Sequence, residues 1–307
     1  MTVLALTCGD PGGIGPEVIV KSIPTLLEIG VTPLIIGPKW PFEKLGFTLD
    51  PVLYVSVEEG GGASVIGQDH ADNGRAAAAA IREAVRLVQS GHAHAMVTAP
   101  ISKYSLQLAG LSYTGHTSFL QDLSGVHHVT MGFYTPRLKT VLATVHVPFS
   151  KVPSLLTYDR LSITLDHAIL MCQQLGITRP KIAMAGLNPH AGEEGMFGDE
   201  ELNVLIPFVS KKREEGIDIS GPYPADTLYF RAYQGQFDMV ISLYHDQGLI
   251  PMKLIGFHDA VNVTVGLPFV RTSPDHGTAY DIAYQDKANP SSFIAAAKLA
   301  VMLAHRS

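Results

Sequence analysis

The chain has 307 residues, of which 46% are hydrophobic and only 16% charged. That is a globular composition with apolar content for one large α/β domain or two intimately joined ones, and the low charge points to surface hidden in an oligomer. A formal net charge of −6 excludes the overall positive field that would draw the chain to nucleic acid or an anionic membrane surface.

In chain order, short apolar runs recur at residues 3–7, 33–36, 95–98, 140–145, 181–185, 239–243 and 261–265. Amphipathic helical stretches separate them, the pattern of parallel strands joined by crossover helices. Residues 74–90 are alanine-rich, with Asp72 or Asn73 as candidate N-caps and Gly91 placed to close the helix. Residues 159–175 follow Thr157 as a cap and stop at Gly176, while Pro290 suits the first turn of a last helix running to about Ala304. Pro207 interrupts the helical stretch 199–215, so a kink or two pieces are expected there. No linker or repeat marks a domain boundary; the one cue is the Gly and Pro density at 264–277, where the chain is expected to cross between domains. The opening residues lack the basic segment of a signal peptide and no apolar run is long enough for a span, so a cytoplasmic protein is expected. Cys8 and Cys172 have neither metal-type spacing nor the look of a disulfide framework, which fits a reducing compartment.

Chemically capable side chains sit directly after the apolar runs: Asp10, Lys103, His146, His190, His245 and Asp246. In an open parallel sheet the carboxyl ends of the strands form the active edge. Three neutral imidazoles at one edge suit a catalytic divalent metal with open positions; the alternative is three satisfied structural histidines. The turn GDPGGIGPE at 9–17 can meet an anion or cofactor, or be a plain tight turn, and no glycine fingerprint of a Rossmann site occurs anywhere. Gly115-His116-Thr117-Ser118 can cap a helix and grip a phosphate, or only cap. Lys253, Asn262 and Arg271 could hold a phosphate and a carboxylate, or be solvated surface.

Together the motifs GDPGGIGPE, VTAPISK, GHTSFL, GLNPHAGEEGMFGDEE, GPYPADT, YHDQGLIPMK and DHGTAYDIA, in this order, resemble the 4-hydroxythreonine-4-phosphate dehydrogenase family nearly end to end. The resemblance implies an isocitrate/isopropylmalate dehydrogenase-like fold: two α/β/α domains with a mostly parallel sheet and the active site in the cleft between them. It implies a first domain of residues 1–127 plus 264–307, and a second of 128–263 with the metal ligands and dimer contacts. His146, His190 and His245 match the metal ligands; His116, Thr117, Lys253, Asn262 and Arg271 match the substrate contacts. Asp226 and Asp246 match acidic groups beside the metal, with Lys103 as a further acid-base or salt-bridging residue. The cofactor, NAD with NADP as the alternative, is expected along loops including Asp275, Gly277 and Asp281. Many members follow the Asp281-Ile282-Ala283 triplet with Gly-Lys-Gly, whereas this chain has Tyr284-Gln285-Asp286-Lys287. The family reading is a homodimer with active sites at the subunit interface and a small phosphorylated hydroxy-acid substrate. It oxidises 4-(phosphooxy)-L-threonine in pyridoxine 5'-phosphate biosynthesis and decarboxylates the product, with zinc, magnesium or cobalt. The alternatives are oxidation of threonate or erythronate 4-phosphate, or metal-dependent hydrolysis.

Overall fold

The apolar run at 3–7 becomes β1 (Thr2–Thr7), and the glycine-rich turn after it leads into α1 (Gly15–Glu28), with Pro16 in its first turn. Next come β2 (Val31–Gly37), α2 (Trp40–Lys44), β3 (Leu53–Ser56), α3 (Ala71–Gln89), β4 (Ala95–Thr98), α4 (Lys103–Leu108) and α5 (His116–Ser124). The middle of the chain supplies β5 (Thr130–Tyr134), β6 (Lys139–Leu142), α6 (Val152–Leu155), α7 (Tyr158–Gln174) and β7 (Ile182–Ala185). It continues with α8 (Ile206–Glu214), β8 (Ile219–Tyr223), α9 (Ala225–Tyr233), β9 (Met239–Ser242) and α10 (His245–Gly256). The last elements are β10 (Val261–Val265), β11 (Val270–Pro274) and α11 (Ser291–Ala304). This is a computed structural model, and it describes residues 2–49, 52–57, 65–257 and 259–306.

Two units result. The first comprises Met1–Val129 with Val261–His305, the second Thr130–Ala260 with Arg306. In the first, the strands run in the order β3-β2-β1-β4-β11-β10, parallel except for the β10–β11 hairpin. That hairpin occupies part of the Gly- and Pro-rich segment read as a crossing. The second unit runs β5-β6-β9-β7-β8, parallel except for the β5–β6 hairpin. In both, wholly buried strands such as β4, β7 and β9 read as continuous apolar runs because helices cover both faces. Leu4, Ile35, Val97 and Phe293 are fully buried in the first unit; Phe133, Val240, Leu228 and Met252 anchor the core of the second.

Helix ends follow local chemistry, with one correction. Thr157 Oγ1 accepts the Arg160 N–H and caps α7 as expected, but α3 begins earlier than its alanine run, and His70 Nδ1, not Asp72 or Asn73, accepts at its start. The stretch around Pro207 is in two pieces, a wide π-type turn at Glu201–Leu205 and then α8. The strand read at 140–145 ends at Leu142, so His146 lies on a loop. Among the described helices none is long and apolar enough to cross a membrane.

Candidate active site

In the first unit, β4 and β11 run parallel with Met96 opposite Arg271, and β10 lies on the other side of β11. Arg271 is 2% exposed. Its hydrogen-bond partners among the described residues are neutral hydroxyls: Nε and Nη2 donate to Thr98 Oγ1 at 3.2 and 2.7 Å, and Nη1 donates to Thr264 Oγ1 at 2.9 Å. A guanidinium without an anion in a low-dielectric site is costly, and burial pulls its pKa down to about 9.

Among the described residues of this unit, His116 Nε2 is buried without a partner, and so is Asn262 Oδ1 on β10, where Asn262 pairs with Ser273, two residues along β11 from Arg271. Burial first, and then the Arg271 charge, hold the His116 imidazole well below its usual pKa, so it is neutral. His116 and Thr117 open α5, which has no side-chain cap at Gly115 and whose first backbone amides have no partner within the helix, and that glycine has φ +147°. A Cβ built on that Gly115 would lie 3.6 Å from Lys103 Cε, so the Lys103 stem runs past the same helix end. A buried cation, a neutral imidazole and a helix N-terminus lie together, with an amide oxygen on the strand next to β11, a set suited to a phosphate with a neighbouring donor.

The second unit carries the imidazoles. Beyond β6 and β9 the pairing continues, with Ala143 N–H donating to Ser242 O at 2.8 Å and Thr144 Oγ1 to Leu243 O at 2.7 Å. His146 and His245 therefore leave the sheet at the same edge, two residues past these bonds, and their ring centroids lie 5.6 Å apart. They line an open pocket of about 340 Å³ with Val145, Phe149, Tyr244 and Asp246. His245 Nδ1 is 2.6 Å from Asp246 Oδ1, which orients the ring and leaves Nε2 for a ligand.

His190 is placed differently. It begins a run of left-handed residues at 190–194, with φ between 41° and 85°, in a chain where only one of the five is glycine. Such backbone persists only where its surroundings over-determine it. Here the buried Glu201 does so: Oε1 accepts the Leu187 and Asn188 N–H groups at 2.7 and 2.8 Å, and Oε2 accepts Asn188 Nδ2 at 2.8 Å. Gln247, also buried, accepts from Leu243 N–H and donates to Gly186 O, tying the loop before His245 to the loop before His190. Neither residue was singled out from sequence; Glu201 lies inside a quoted motif, but nothing in its spacing marks it as buried.

Among the described residues, no group of three or more His, Cys, Asp or Glu side chains is gathered closely enough to hold a metal, so His190 is not brought to the His146–His245 pair within one chain. Asp226 is exposed in the first turn of α9, and Lys253 lies in the last turn of α10, both in the second unit. Asp275 follows β11, Gly277 has open space at its Cα, and Asp281 lies exposed in the turn Tyr280–Ile282.

Residues 45–300 match the model of the pyridoxal phosphate biosynthetic protein PdxA family. The chain belongs to this family. It is 44% identical to a 4-hydroxythreonine-4-phosphate dehydrogenase of Ruegeria, covering 98% of this chain and 97% of the relative. It is 39% identical to a D-threonate 4-phosphate dehydrogenase of Pectobacterium atrosepticum, covering 98% and 99%. The crystal structure of a 4-hydroxythreonine-4-phosphate dehydrogenase from Klebsiella pneumoniae superposes with a TM-score of 0.88 at 36% identity, covering 99% and 100%. A β-decarboxylating dehydrogenase of Thermococcus kodakarensis shares the fold alone, with a TM-score of 0.52 at 16% identity over 99% of this chain and 84% of that one. As a PdxA-family member, the protein is a dehydrogenase, an oxidoreductase.

Proposed function

We propose that this PdxA-family enzyme oxidises the secondary alcohol of 4-(phosphooxy)-L-threonine with NAD, and that the resulting 3-oxo acid loses CO2 to give 3-amino-2-oxopropyl phosphate. NADP is the alternative cofactor. The observation that carries this reading is the buried Arg271, satisfied among the described residues by hydroxyls only, with the unpartnered His116 Nε2 near it and the unpartnered Asn262 Oδ1 on the neighbouring strand. Arg271, His116 and Thr117 hold the phosphate, while Lys253 supplies a second cation for phosphate or carboxylate. Asn262 Oδ1 accepts from a substrate hydroxyl or ammonium. Binding energy at the phosphate then orients the reacting carbon, C3, whose hydride passes to the nicotinamide while the hydroxyl proton leaves.

The donor chemistry of His146 and His245, two facing imidazoles with one oriented by Asp246, fits a divalent metal such as zinc, magnesium or cobalt. In this reading His190 joins them in the homodimer that the family resemblance implies. When bound, the metal supplies Lewis acidity that lowers the alcohol pKa and steadies negative charge on the same oxygen during decarboxylation. Asp246 holds His245 and, with Asp226 and Lys103, is assigned to proton handling. The cofactor is assigned to the loop of Asp275, Gly277 and Asp281.

A second reading, oxidation of D-threonate 4-phosphate, is favoured by the Pectobacterium relative. The two substrates share the 4-phosphate and the 3-hydroxyl and differ at C2. The test is a panel of both, with NAD or NADP and each of the three metals, read as NADH absorbance and CO2 release. The first reading expects turnover of 4-(phosphooxy)-L-threonine at a kcat/KM at least tenfold above D-threonate 4-phosphate; the reverse ratio selects the second. Release of inorganic phosphate without NADH would overturn both in favour of hydrolysis.

A further inference from the structure

The segment 278–288 is fastened to the turn between β1 and α1, and to α1 itself, by several side-chain anchors. Ile14 N–H donates to Thr278 O at 3.0 Å, and a Cβ on Gly13 would come within 2.8 Å of that carbonyl, so the two backbones are in close approach. Tyr280 Oη lies 2.8 Å from Asp10 Oδ2 and 3.2 Å from Asp69 Oδ1, poised to donate to either, with Asp10 fully buried and its other oxygen taken by Gly12 N–H. Tyr284 Oη donates to Pro11 O at 2.5 Å, and the Tyr284 ring stacks on Trp40 with centroids 6.0 Å apart. Lys21 Nζ pairs with Asp286 and donates to the Asp286 and Ala288 carbonyls, while Glu17 accepts the Ala288 N–H.

Three non-glycine residues in this segment have left-handed backbone: Ala279 at φ 42°, Tyr284 at 58° and Asp286 at 59°. The latter two follow the Asp281-Ile282-Ala283 triplet, where the family resemblance leads to an expectation of Gly-Lys-Gly. The chain thus keeps a conformation that glycine adopts freely, but does so with a tyrosine and an aspartate whose side chains are themselves the anchors.

We propose that Tyr280 and Tyr284 are positioning residues for the cofactor. Bonded to Asp10 and to the Pro11 carbonyl, they hold segment 275–286 in its cofactor-binding shape, and the side-chain anchors at 284 and 286 offset the strain of the left-handed backbone there. The inference rests on the assignment of Asp275, Gly277 and Asp281 to the cofactor. It makes Tyr280 and Tyr284 act on cofactor affinity: among the described residues the Tyr280 hydroxyl meets Asp10, Asp69 and Ser105, and the Tyr284 hydroxyl meets the Pro11 carbonyl.

The test uses the full-length metal-loaded enzyme and the variants Tyr280→Phe and Tyr284→Phe, each lacking one oxygen. The expected result is a five- to twentyfold rise in KM for NAD and a matching rise in the calorimetric Kd for NADH, with kcat and the KM for phosphorylated substrate within twofold. The double variant Tyr284→Gly/Asp286→Gly, which removes both strain and anchors, should return the NADH Kd to within threefold of the parent. A merely structural role would lower the melting temperature and raise both KM values together, and that outcome overturns the inference. So does an NADH Kd unchanged in both phenylalanine variants while the parent binds NADH, which leaves the proposed function standing. A parent enzyme that binds neither NADH nor NADPH removes the function and the inference together.

Discussion

Thr98 Oγ1 receives two hydrogen bonds from the Arg271 guanidinium, through Nε and Nη2, where a buried arginine would ordinarily meet a carboxylate. Among the described residues no carboxylate bonds to the guanidinium, so the site is suited to take up one negative charge. Replacing Arg271 by Met should leave the melting temperature in phosphate-free buffer unchanged or higher, because a buried uncompensated charge is removed. In the parent, inorganic phosphate at a hundred times its Kd should add about 2.7 kcal/mol of stability. In Arg271→Met that increment should vanish and kcat/KM should fall at least a hundredfold. Equal phosphate stabilisation of parent and variant, followed by calorimetry, would place the anion elsewhere.

His116 makes the same site sensitive to pH. Its folded pKa is depressed below the ordinary 6.5 by burial and by Arg271, so the unfolded chain binds a proton there more readily than the folded one. Its contribution to stability is complete above about pH 6.5 and is lost as pH falls from there toward the depressed value. Denaturant midpoints measured from pH 7.5 down to 5.0 should decline less steeply in His116→Asn than in the parent. Bound phosphate, by favouring the imidazolium, should flatten the parent curve as well. Parallel curves for parent and variant would mean that His116 is not held neutral in the folded chain.

How far sequence reached into this site depended on the kind of signal. His146 and His245 could be placed together because parallel strands end on one edge, and the continuation of the β6–β9 pairing to Thr144 and Leu243 carries that logic two residues past the ladder. His190 obeyed the same positional argument, yet the left-handed run at 190–194 aims it by a route that no propensity encodes, since Ala191, Glu193 and Glu194 carry no turn signature. β11 was missed because its VRTSP sequence mixes an arginine with hydroxyls, and a strand that buries such a charge has no period-2 pattern to detect. β3, β5 and β8 were missed too; β3 is short and half-exposed, and β8 carries Gly221 and Pro222, which read as turn residues. What remained legible in the cofactor segment was its departure from the family triplet, not that the backbone would stay left-handed.

The contact between His245 Nδ1 and Asp246 predicts a graded loss of metal affinity. His245→Ala removes a proposed ligand, and binding of cobalt, followed by its visible absorption, should disappear along with turnover. Asp246→Ala leaves the imidazole but frees its ring to turn and to shift its proton, so cobalt affinity should fall about ten- to a hundredfold. Asp246→Asn retains an oxygen acceptor and should lie nearer the parent. Full cobalt affinity in His245→Ala would remove that imidazole from the metal site.

Glu201 offers a stability test independent of metal and cofactor. Its carboxylate is 1% exposed as a residue and accepts from Leu187 N–H, Asn188 N–H and Asn188 Nδ2, the three donors that set the course of the chain into the left-handed run. Glu201→Ala strands the two backbone donors in a buried site, while Asn188 Nδ2 keeps its second acceptor, Glu200 Oε2 at 2.7 Å; each unmet donor costs on the order of 1–3 kcal/mol, so an overall loss of about 2–5 kcal/mol is expected by urea denaturation. Glu201→Gln should be milder: its single oxygen can still take the two backbone N–H groups, but its amide nitrogen would face Asn188 Nδ2, donor against donor. The two substitutions should also differ in what they do to His190. If the left-handed run depends on the carboxylate, amide exchange at residues 190–194 should rise sharply in Glu201→Ala under conditions where β7 and α10 remain protected. Uniform exchange across the unit would instead mean that Glu201 supports the fold at large and leaves the His190 turn to its own residues.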